Sequence, residues 1–583
     1  MVDALSSGGS ECMLVGVQLP PLARKRKPEP TGSGFFISQA VARIQQPSVA
    51  KIRKASNPWT FTLDFPILRV MFSFIELFAG CGGLSLGLRA AGFEEIMANE
   101  LSSMPAETFA LNLMGVDIRS PEFAATEPSK RRVLWLDSAT DNVEERLTDN
   151  PYERPETDMS EAANAGSLKG KLIIGDIRRL NQFAESHKES LVQDEVDLVS
   201  GGPPCQSFSL AGRREFGNQR NQLPWEFARF VDMQRPRMVL LENVEGILRP
   251  FKLEDKTYYA WFEVCKAFAS IGYVTRPMLI NARFTGVAQN RPRFIMLAVR
   301  EDLADRLSPN TAEWFEQGRH LIEAVRNDDA DFDRAKWICR DLTTEEWQLK
   351  AKDTVFAPLV AYSDASMQRT VFDAIADLQD ENPHTPSSYI SELNSVLGSK
   401  LVDPLHPCMN LQHPNSTPRV RARFRVYQIM ANNAKDVSDN IKAVMRGQST
   451  ELSDDAVEAL KNGELIRYDQ PVSKTHKGLV TYLAGLSTKK FSQKALRKNA
   501  PAPAALSIPD DICHYTEART LSVREMARIQ SFPDAFEFRG IATTGGLRRR
   551  YQVPQYTQIG NAVPPLMGRA LGRVVSGILT ELG

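Results

Sequence analysis

The most informative segment of the chain is Val196-Asp197-Leu198-Val199-Ser200-Gly201-Gly202-Pro203-Pro204-Cys205-Gln206-Ser207-Phe208-Ser209. The apolar run at its start predicts a buried strand of a parallel sheet. Two glycines then let the backbone turn, and two prolines stiffen the exit from the strand. Cys205 is therefore expected at the carboxyl edge of the sheet, which is where open α/β sheets bind their ligands.

A cysteine at that edge is a candidate nucleophile. A free thiol has a pKa near ~8.5 and is only a few per cent thiolate at neutral pH, so a reactive cysteine needs an electropositive setting. The alternative is a buried structural cysteine, the commoner role for a cysteine taken at random. The setting Gly-Gly-Pro-Pro-Cys-Gln favours the nucleophile for Cys205.

Composition sets the class of protein before any other motif is considered. A chain of 583 residues exceeds one core, so two or three domains are expected. Lys+Arg and Asp+Glu number 71 each, so a surface for nucleic acid must come from local segregation of charge. The 7 cysteines form no CxxC pair, which argues against zinc and disulfides and indicates a reducing compartment. No apolar run of membrane-spanning length occurs, and the amino terminus is a poor signal peptide.

Residues 1–70 are predicted to form a mobile basic and polar tail. Gly, Ser and Pro are mixed there with the cluster Arg24-Lys25-Arg26-Lys27. Two meanings of that cluster stay open, namely a solvated run of charge and an arm that contacts phosphates.

The first ordered segments read as the start of a nucleotide-binding βα unit. A strand at 74–78 leads into Ala79-Gly80-Cys81-Gly82-Gly83 and a helix that Gly92 ends. Glu100 closes a second strand about 20 residues on, a spacing that suits a carboxylate accepting both ribose hydroxyls. NAD would satisfy this pattern as well, although the glycine turn departs from the dinucleotide fingerprint.

Residues 119–170 interrupt the alternation of strands and helices. They hold eleven acidic and seven basic residues with little periodicity, so we interpret them as a surface insertion. The fold resumes with a third strand at 172–177, which contains Asp176. Alone, an aspartate at the end of a strand is most simply a helix N-cap.

Charged side chains recur at the ends of the following strands. A helix at 224–234 precedes the apolar strand 238–241, which ends in Glu242. Arg291 and Arg293 lie just before the amino end of the strand 294–299. An antiparallel strand there would bring these arginines and Glu242 to one edge of the sheet.

The later part of the chain changes character. Residues 411–506 hold sixteen Lys/Arg against eight Asp/Glu, and Arg419, Arg421, Arg423 and Arg425 alternate along one strand-like face. This local charge predicts phosphate contacts, with an ordinary basic surface as the alternative. A capping box, Ser522 to Glu525, then opens an amphipathic helix, and residues 555–565 open a final helix through Leu571 and Val574.

Taken in order, these segments resemble the motif series of the DNA (cytosine-5)-methyltransferases, over about 71–300 and 500–575. The glycine turn looks like their S-adenosylmethionine (SAM) turn. The resemblance implies an α/β fold with a Rossmann-like, mostly parallel seven-stranded sheet, helices on both faces and one antiparallel strand at the edge. It also implies a catalytic domain at 71–380, a smaller target-recognition domain at 381–550 and a carboxyl-terminal helix at 551–583 that returns to the catalytic domain.

By the same resemblance, four residues carry the chemistry. Cys205 attacks C6 of cytosine, since C5 is a poor nucleophile until the ring is activated by covalent addition. Glu242 acts protonated and donates to N3, which burial would favour. Arg293 holds the base O2 and Arg291 orders the active-site loop. The target base is flipped out of the duplex, and no metal is needed.

The resemblance also implies a binding site for SAM. Asp176 is expected to accept from the adenine amino group, and Ile177 to pack on the ring. The full set of expected cofactor residues is Phe78, Ala79, Gly80, Gly83, Glu100, Asp176, Ile177, Pro204, Leu223, Asn561 and Val563. Leu101 and Ser102-Ser103-Met104 depart from the usual family pattern after the ribose carboxylate, and Pro292 should only stiffen the turn between the arginines.

The expected partner is double-stranded DNA, with a restriction endonuclease acting on the same site as a candidate second partner. We expect a cytoplasmic, nucleoid-associated monomer. Two rival functions stay open. An RNA cytosine-5 methyltransferase would keep Cys205 and Glu242, although the large basic segment favours DNA. A catalytically silent DNA-binding relative usually loses the Pro-Cys or Glu-Asn-Val residues that this chain keeps.

Overall fold

The computed structural model describes residues 71–157, 160–163, 165–204, 222–253, 256–327, 337–467, 472–490, 492–504 and 509–583. All of them belong to one unit, Arg69–Gly583. The predicted tail, Cys205 and the loop that follows it to residue 221 lie outside the described residues.

The architecture is built on one large sheet. The described strands are β1 Ser73–Leu77, β2 Glu94–Glu100, β3 Val133–Trp135, β4 Lys171–Ile174, β5 Leu198–Gly201, β6 Met238–Val244, β7 Phe251–Leu253, β8 Lys256–Tyr258, β9 Tyr273–Asn281, β10 Gln289–Asn290, β11 Pro292–Arg300, β12 Arg340–Asp341, β13 Lys494–Ala495, β14 Ala502–Pro503 and β15 Ile512–Cys513. Nine of them form the main sheet in the order β12-β9-β11-β6-β5-β1-β2-β4-β3.

Strand direction confirms the predicted α/β class and corrects two details. Every neighbouring pair in the main sheet is parallel except the two pairs that β11 makes, with β6 and with β9. The predicted count of seven strands was wrong, because the short strands β3 and β12 extend the sheet at its two ends. The antiparallel strand was also misplaced, since β11 lies between β6 and β9 and not at the edge.

The central strands form because their apolar runs are buried on both faces. Residues 74 and 75 in β1, 198 and 199 in β5, and 238–241 in β6 are fully buried. Such continuous apolar runs are typical of parallel strands covered by helices on both sides. The sheet therefore supplies a fixed carboxyl edge on which polar side chains can be positioned.

Helices cover the sheet and build the rest of the described chain. They are α1 Gly83–Ala90, α2 Ser103–Phe109, α3 Pro121–Ala125, α4 Val143–Thr148, α5 Ser160–Ala163, α6 Ile177–Ser186, α7 Leu223–Gln234, α8 Ala260–Ser270, α9 Pro309–Arg326, α10 Glu345–Lys352, α11 Val371–Ile375, α12 Ser388–Glu392, α13 Pro418–Ala431, α14 Lys435–Met445, α15 Asp454–Asn462, α16 His476–Gly485, α17 Val523–Ile529, α18 Gln555–Asn561 and α19 Pro565–Leu582. Within the described ranges, no helix is both long and apolar enough to cross a membrane.

The carboxyl-terminal helix packs on the first helix. A Cβ added at Gly87 of α1 would lie 2.4 Å from the Pro565 carbonyl oxygen, and one at Gly572 would lie 2.6 Å from Ala91 Cβ. Small residues on both helices therefore permit the close approach of α1 and α19. The predicted single helix from residue 555 is in fact two, since α18 ends at Asn561 and α19 begins at Pro565; the two prolines, 564 and 565, have no N–H with which to continue α18.

The segment 119–170 contributes to the fold and is not simply a surface insertion. Its residues Val133–Trp135 form β3, which pairs with β4 in parallel, and all three are buried. Glu161 accepts from the backbone N–H of Trp135 at 2.9 Å and pairs with Arg146 at 2.8 Å. Two of the charged residues that suggested a surface segment, Arg146 and Glu161, therefore form a buried ion pair.

A second, smaller hydrophobic core is separate from the one around the sheet. It is built mainly from α13–α16, with further residues up to Ala518. Residues 389–401 and 521–538 contribute to the first core instead, so the predicted boundaries at 381 and 550 do not coincide with the limits of the second core. Arg519 connects the two cores, since it pairs with Glu517 and with Glu525 of α17.

The four alternating arginines lie on a helix, so the predicted strand-like face is wrong. Thr417 precedes Pro418 at the first position of α13, and the apolar residues of that helix face the second core. Arg423 is buried and its Nε donates to the Leu486 carbonyl at 2.9 Å. Arg425 donates to the Thr516 carbonyl at 3.0 Å, while Arg419 and Arg421 are exposed.

Candidate active site

A cleft of about 490 Å³ lies at the carboxyl edge of the main sheet. It brings together residues that are up to 487 positions apart in the sequence (76 and 563). Its lining includes every predicted cofactor residue, namely Phe78, Ala79, Gly80, Gly83, Glu100, Asp176, Ile177, Pro204, Leu223, Asn561 and Val563. Glu242, Arg291 and Arg293 line the same cleft. Their roles in binding and catalysis remain predictions.

The turn after β1 brings backbone close to the cleft. Phe78, Gly80 and Gly82 all have positive φ, at 56°, 57° and 92°. A Cβ on Gly83 would lie 2.4 Å from the carbonyl oxygen of Val563, so only glycine lets the carboxyl-terminal segment come this near. The amino end of α1 has no side-chain cap, so its first backbone N–H groups can bind an anion or the negative end of a dipole.

Glu100 is held in place by two backbone donors. The N–H of Gly80 donates to Oε2 at 2.9 Å, and the N–H of Ser102 donates to Oε1 at 2.8 Å. Burial raises the pKa of Glu100, and these hydrogen bonds oppose that shift. Each carboxylate oxygen retains a second lone pair for a ligand hydroxyl. Ser102, which departs from the family pattern, therefore holds Glu100 through its backbone N–H and not through its side chain.

Asp176 adopts the N-cap that its position alone indicated. Its Oδ1 accepts from the backbone N–H of Arg178 at 2.8 Å at the start of α6, and its Oδ2 pairs with the Arg178 guanidinium at 2.6 Å. Ile177 is 2% exposed. The expected contact of Asp176 with an adenine amino group would share this carboxylate with Arg178.

Glu242 and Arg293 form a buried ion pair. The register of β6 and β11 places Val244 opposite Arg293, and Arg293 Nε lies 2.9 Å from Glu242 Oε1. Burial is the largest influence on Glu242 and raises its pKa, against the opposing effect of Arg293 and Arg291. Burial lowers the pKa of Arg293. A carboxyl with a raised pKa is suited to hold and donate a proton.

The strand exit that leads to Cys205 is fixed against Glu242. A Cβ on Gly202 would lie 3.0 Å from Glu242 Oε2, so the glycine lets the carboxyl group approach the backbone. Asn243 Nδ2 donates to the Pro203 carbonyl at 2.9 Å. Pro204 follows, exposed at the cleft. Cys205 lies outside the described residues, yet the residue directly before it stands in the same cleft as Glu242.

Arg291 has a different environment from Arg293. It is 2% exposed, and its Nη2 donates to the carbonyls of Gly560 at 2.7 Å and Ala562 at 3.2 Å. Burial lowers its pKa well below the usual range. These two hydrogen bonds therefore hold the segment that carries Asn561. The predicted ordering of the active-site loop concerns residues outside the described ranges and stays a prediction.

Several cleft residues carry no signal in the sequence. Glu76 of β1 is buried in the lining, where its Oε2 accepts from the Ser85 hydroxyl and burial raises its pKa. Pro151 and Tyr152 reach the cleft from the segment interpreted as an insertion. Arg549 and Arg550 line it from the end of the predicted target-recognition domain, where no single residue was singled out. Only the tertiary fold brings these residues to the sheet edge.

The sheet, its glycine turn and the anchored carboxylate at the end of β2 form a Rossmann-like α/β fold, and an acid–guanidinium pair lines the cleft at its carboxyl edge. The chain belongs to the C-5 cytosine-specific DNA methylase family, whose model matches residues 72–126 and 162–577. It is therefore a DNA (cytosine-5) methyltransferase, as its sequence motifs predicted.

Two of the similar proteins of known name are bacterial methyltransferases. The chain is 26% identical over 506 residues to the Type II methyltransferase M.DdeI of Desulfomicrobium norvegicum, covering 86% of this chain and 88% of that protein. It is 25% identical over 539 residues to the Type II methyltransferase M.AgeI of Thalassovita gelatinovora, covering 86% of this chain and 98% of that protein. These similarities span both hydrophobic cores.

Proposed function

We propose that the protein transfers a methyl group from SAM to C5 of a flipped-out cytosine in a specific double-stranded DNA sequence, through a covalent bond between Cys205 and C6. The observation that carries this proposal is the buried Glu242–Arg293 pair, which stands beside the Gly202–Pro204 exit leading to Cys205. The proposed proton donor, Glu242, thus lines the same cleft as Pro204, the residue directly before the proposed nucleophile.

The described residues fit SAM as the methyl donor. The cleft of about 490 Å³ falls within the usual range for a small-molecule site. Glu100 is oriented for two ribose hydroxyls, and the uncapped end of α1 offers backbone donors. When bound, the cofactor supplies an electrophilic methyl group on a sulfonium centre. The protein's task is to hold that group against C5 and to exclude water.

The reaction requires the base to be activated before it can accept a methyl group. The Cys205 thiolate adds to C6, and the electron pair displaced into the ring is stabilised as Glu242 donates a proton to N3. C5 then bonds to the methyl carbon as the bond from that carbon to the sulfonium sulfur breaks, and a neutral thioether leaves. The C5 proton passes to solvent, the thiolate leaves C6 and the N3 proton returns to Glu242, which restores the aromatic ring and frees Cys205.

Arg293 has a supporting role in this scheme. Its Nε pairs with Glu242 and its Nη1 donates to the Pro292 carbonyl at 2.7 Å. A guanidinium fixed in this way can direct a remaining N–H at the base O2, as the family resemblance implied. Because the atoms C5 and C6 are inaccessible in a stacked duplex, the cytosine must be extruded, which costs a few kcal/mol.

We also propose that the second core reads the DNA sequence. A restriction endonuclease for the same site is a candidate partner because several relatives are named Type II methyltransferases.

Transfer of a tritium-labelled methyl group from SAM to duplex DNA, followed by mapping of 5-methylcytosine, tests the proposed function. Label in transfer RNA but not in DNA would favour the RNA alternative. DNA binding without transfer would indicate the silent relative.

A further inference from the structure

The segment between α17 and α19 carries a concentration of positive charge. Between Glu537 and Glu581 the sequence contains six arginines and no acidic residue. Three of them are consecutive, Arg548, Arg549 and Arg550, and all three are exposed. In a chain with no net charge, such local segregation indicates a polyanionic partner.

Among the residues that the structure describes, the three arginines have no acidic partner. Arg539, in the same segment, pairs with Asp117 and Glu537, and Arg569 pairs with Glu392. For Arg548, Arg549 and Arg550, no carboxylate of the described residues lies within the 4.0 Å of an ion pair. Their guanidinium groups are therefore available for an anion that the protein itself does not supply.

The loop that presents these arginines is anchored at its base. The Thr544 hydroxyl donates to Gln552 Oε1 at 2.7 Å, and the N–H of Gln555 donates to the Ile541 carbonyl at 3.0 Å. Arg549 Nε donates to the Thr544 carbonyl at 3.0 Å, which leaves its terminal nitrogens for a ligand. Arg549 and Arg550 lie at the rim of the catalytic cleft.

We propose that Arg548, Arg549 and Arg550, here called the arginine triplet, bind phosphates of the DNA backbone beside the flipped cytosine. This inference rests on the proposed function. The guanidinium fork matches a phosphate in a bidentate manner, and duplex DNA carries one negative charge per about 1.7 Å of its axis. The cofactor has one carboxylate, whereas three adjacent cations, two of which line the cleft, match the repeated charge of a strand.

The test compares the double variant Arg549→Gln/Arg550→Gln with wild type in DNA binding at 50–200 mM salt. Each lost phosphate contact lowers the slope of log affinity against log salt by about 0.9. With two contacts removed, the wild type should lose about 12-fold more affinity than the variant over that fourfold range of salt. The effect should be equal for specific and unrelated DNA sequences.

Two further variants keep the result interpretable. Arg549→Lys/Arg550→Lys retains the charge, so it should keep the wild-type salt slope while losing affinity through the missing bidentate bonds. Lys188→Gln/Lys352→Gln removes two exposed charges that are not in the cleft lining and should leave both quantities unchanged. Thermal unfolding checks that every variant is folded.

Calorimetry with SAM separates the two anions that could occupy the arginine triplet. Unchanged SAM affinity with a flattened salt slope supports the proposal. A weakened SAM affinity with an unchanged slope would assign the arginines to the cofactor and overturn it, as would no change in either. If the wild type neither binds DNA nor methylates it, the proposed function fails first, which distinguishes the two failures.

Discussion

Replacing Arg291 by methionine tests whether this buried cation holds the carboxyl-terminal part of the cleft that we propose binds SAM. Methionine has a similar length and no donor. The substitution removes the bonds to the Gly560 carbonyl at 2.7 Å and the Ala562 carbonyl at 3.2 Å. Ala562 keeps a bond from Gln530 Nε2 at 2.9 Å, so the Gly560 carbonyl suffers the greater loss.

The expected magnitude follows from those two bonds. Hydrogen bonds from a charged donor contribute about 1.5–3 kcal/mol each, so their loss sets an upper range of about 3–6 kcal/mol. Removal of a desolvated guanidinium offsets part of this, since burial already lowers its pKa well below the usual range. We expect the free energy of unfolding to fall by about 2–4 kcal/mol. SAM affinity should fall about tenfold or more, a loss of about 1.4 kcal/mol or more.

Arg276→Met is the matched control, because Arg276 is equally buried but poorly bonded. Its contacts to Gln317 Oε1 and the Ile338 carbonyl measure 3.4–3.5 Å, and burial lowers its pKa to about 9. That variant should change stability by less than about 1 kcal/mol. Urea unfolding and SAM calorimetry measure both variants. The reasoning is refuted if Arg291→Met retains wild-type stability and SAM affinity, or if Arg276→Met is the more harmful change.

Three more predictions address other parts of the chain. Burial raises the pKa of Glu242, so the protonated fraction of this carboxyl, and with it the methylation rate, should fall as the pH rises through that pKa. Glu242→Gln should be far slower, and its rate should not show this fall with rising pH. An unchanged rate in that variant would remove Glu242 from the mechanism. Arg423→Ala should destabilise the second core by about 1.5–3 kcal/mol in urea unfolding, whereas exposed Arg421→Ala should affect only DNA binding and its salt slope; the reverse pattern would contradict the assigned environments. A chain beginning at Phe61 should fold and methylate, since it keeps every motif, and an inactive product would show that the amino-terminal residues are needed.

The elements that sequence predicts well are those whose pattern is local. Phe74 and Ile75 in β1 and the run 238–241 in β6 are apolar because both faces of the sheet are covered, and the run in β6 is followed by Glu242, which lines the cleft. The capping box of Ser522 and Glu525 is likewise present as predicted, with both of its hydrogen bonds. Such signals need no knowledge of the tertiary fold.

Other features depend on contacts between distant residues. The arginines of α13 alternate as in a strand, but Pro418 and the longer apolar spacing that continues through Tyr427 and Ile429 favour a helix. β3 is only three residues long and is stabilised by pairing with β4. The sequence of its own segment does not predict this pairing. The same holds for Tyr152 and Arg550, which reach the cleft through the fold alone.

In the proposed mechanism Cys205 bonds covalently to C6 of cytosine, and trapping with 5-fluorocytosine detects that bond. Fluorine at C5 cannot leave as a proton does, so elimination is blocked after methyl transfer. Duplex DNA containing this base should form, with SAM, a denaturant-stable adduct that peptide mapping places on Cys205. The Cys205→Ser variant should still bind SAM but form none. An active wild-type enzyme that gives no adduct, or gives one on another residue, would contradict the mechanism.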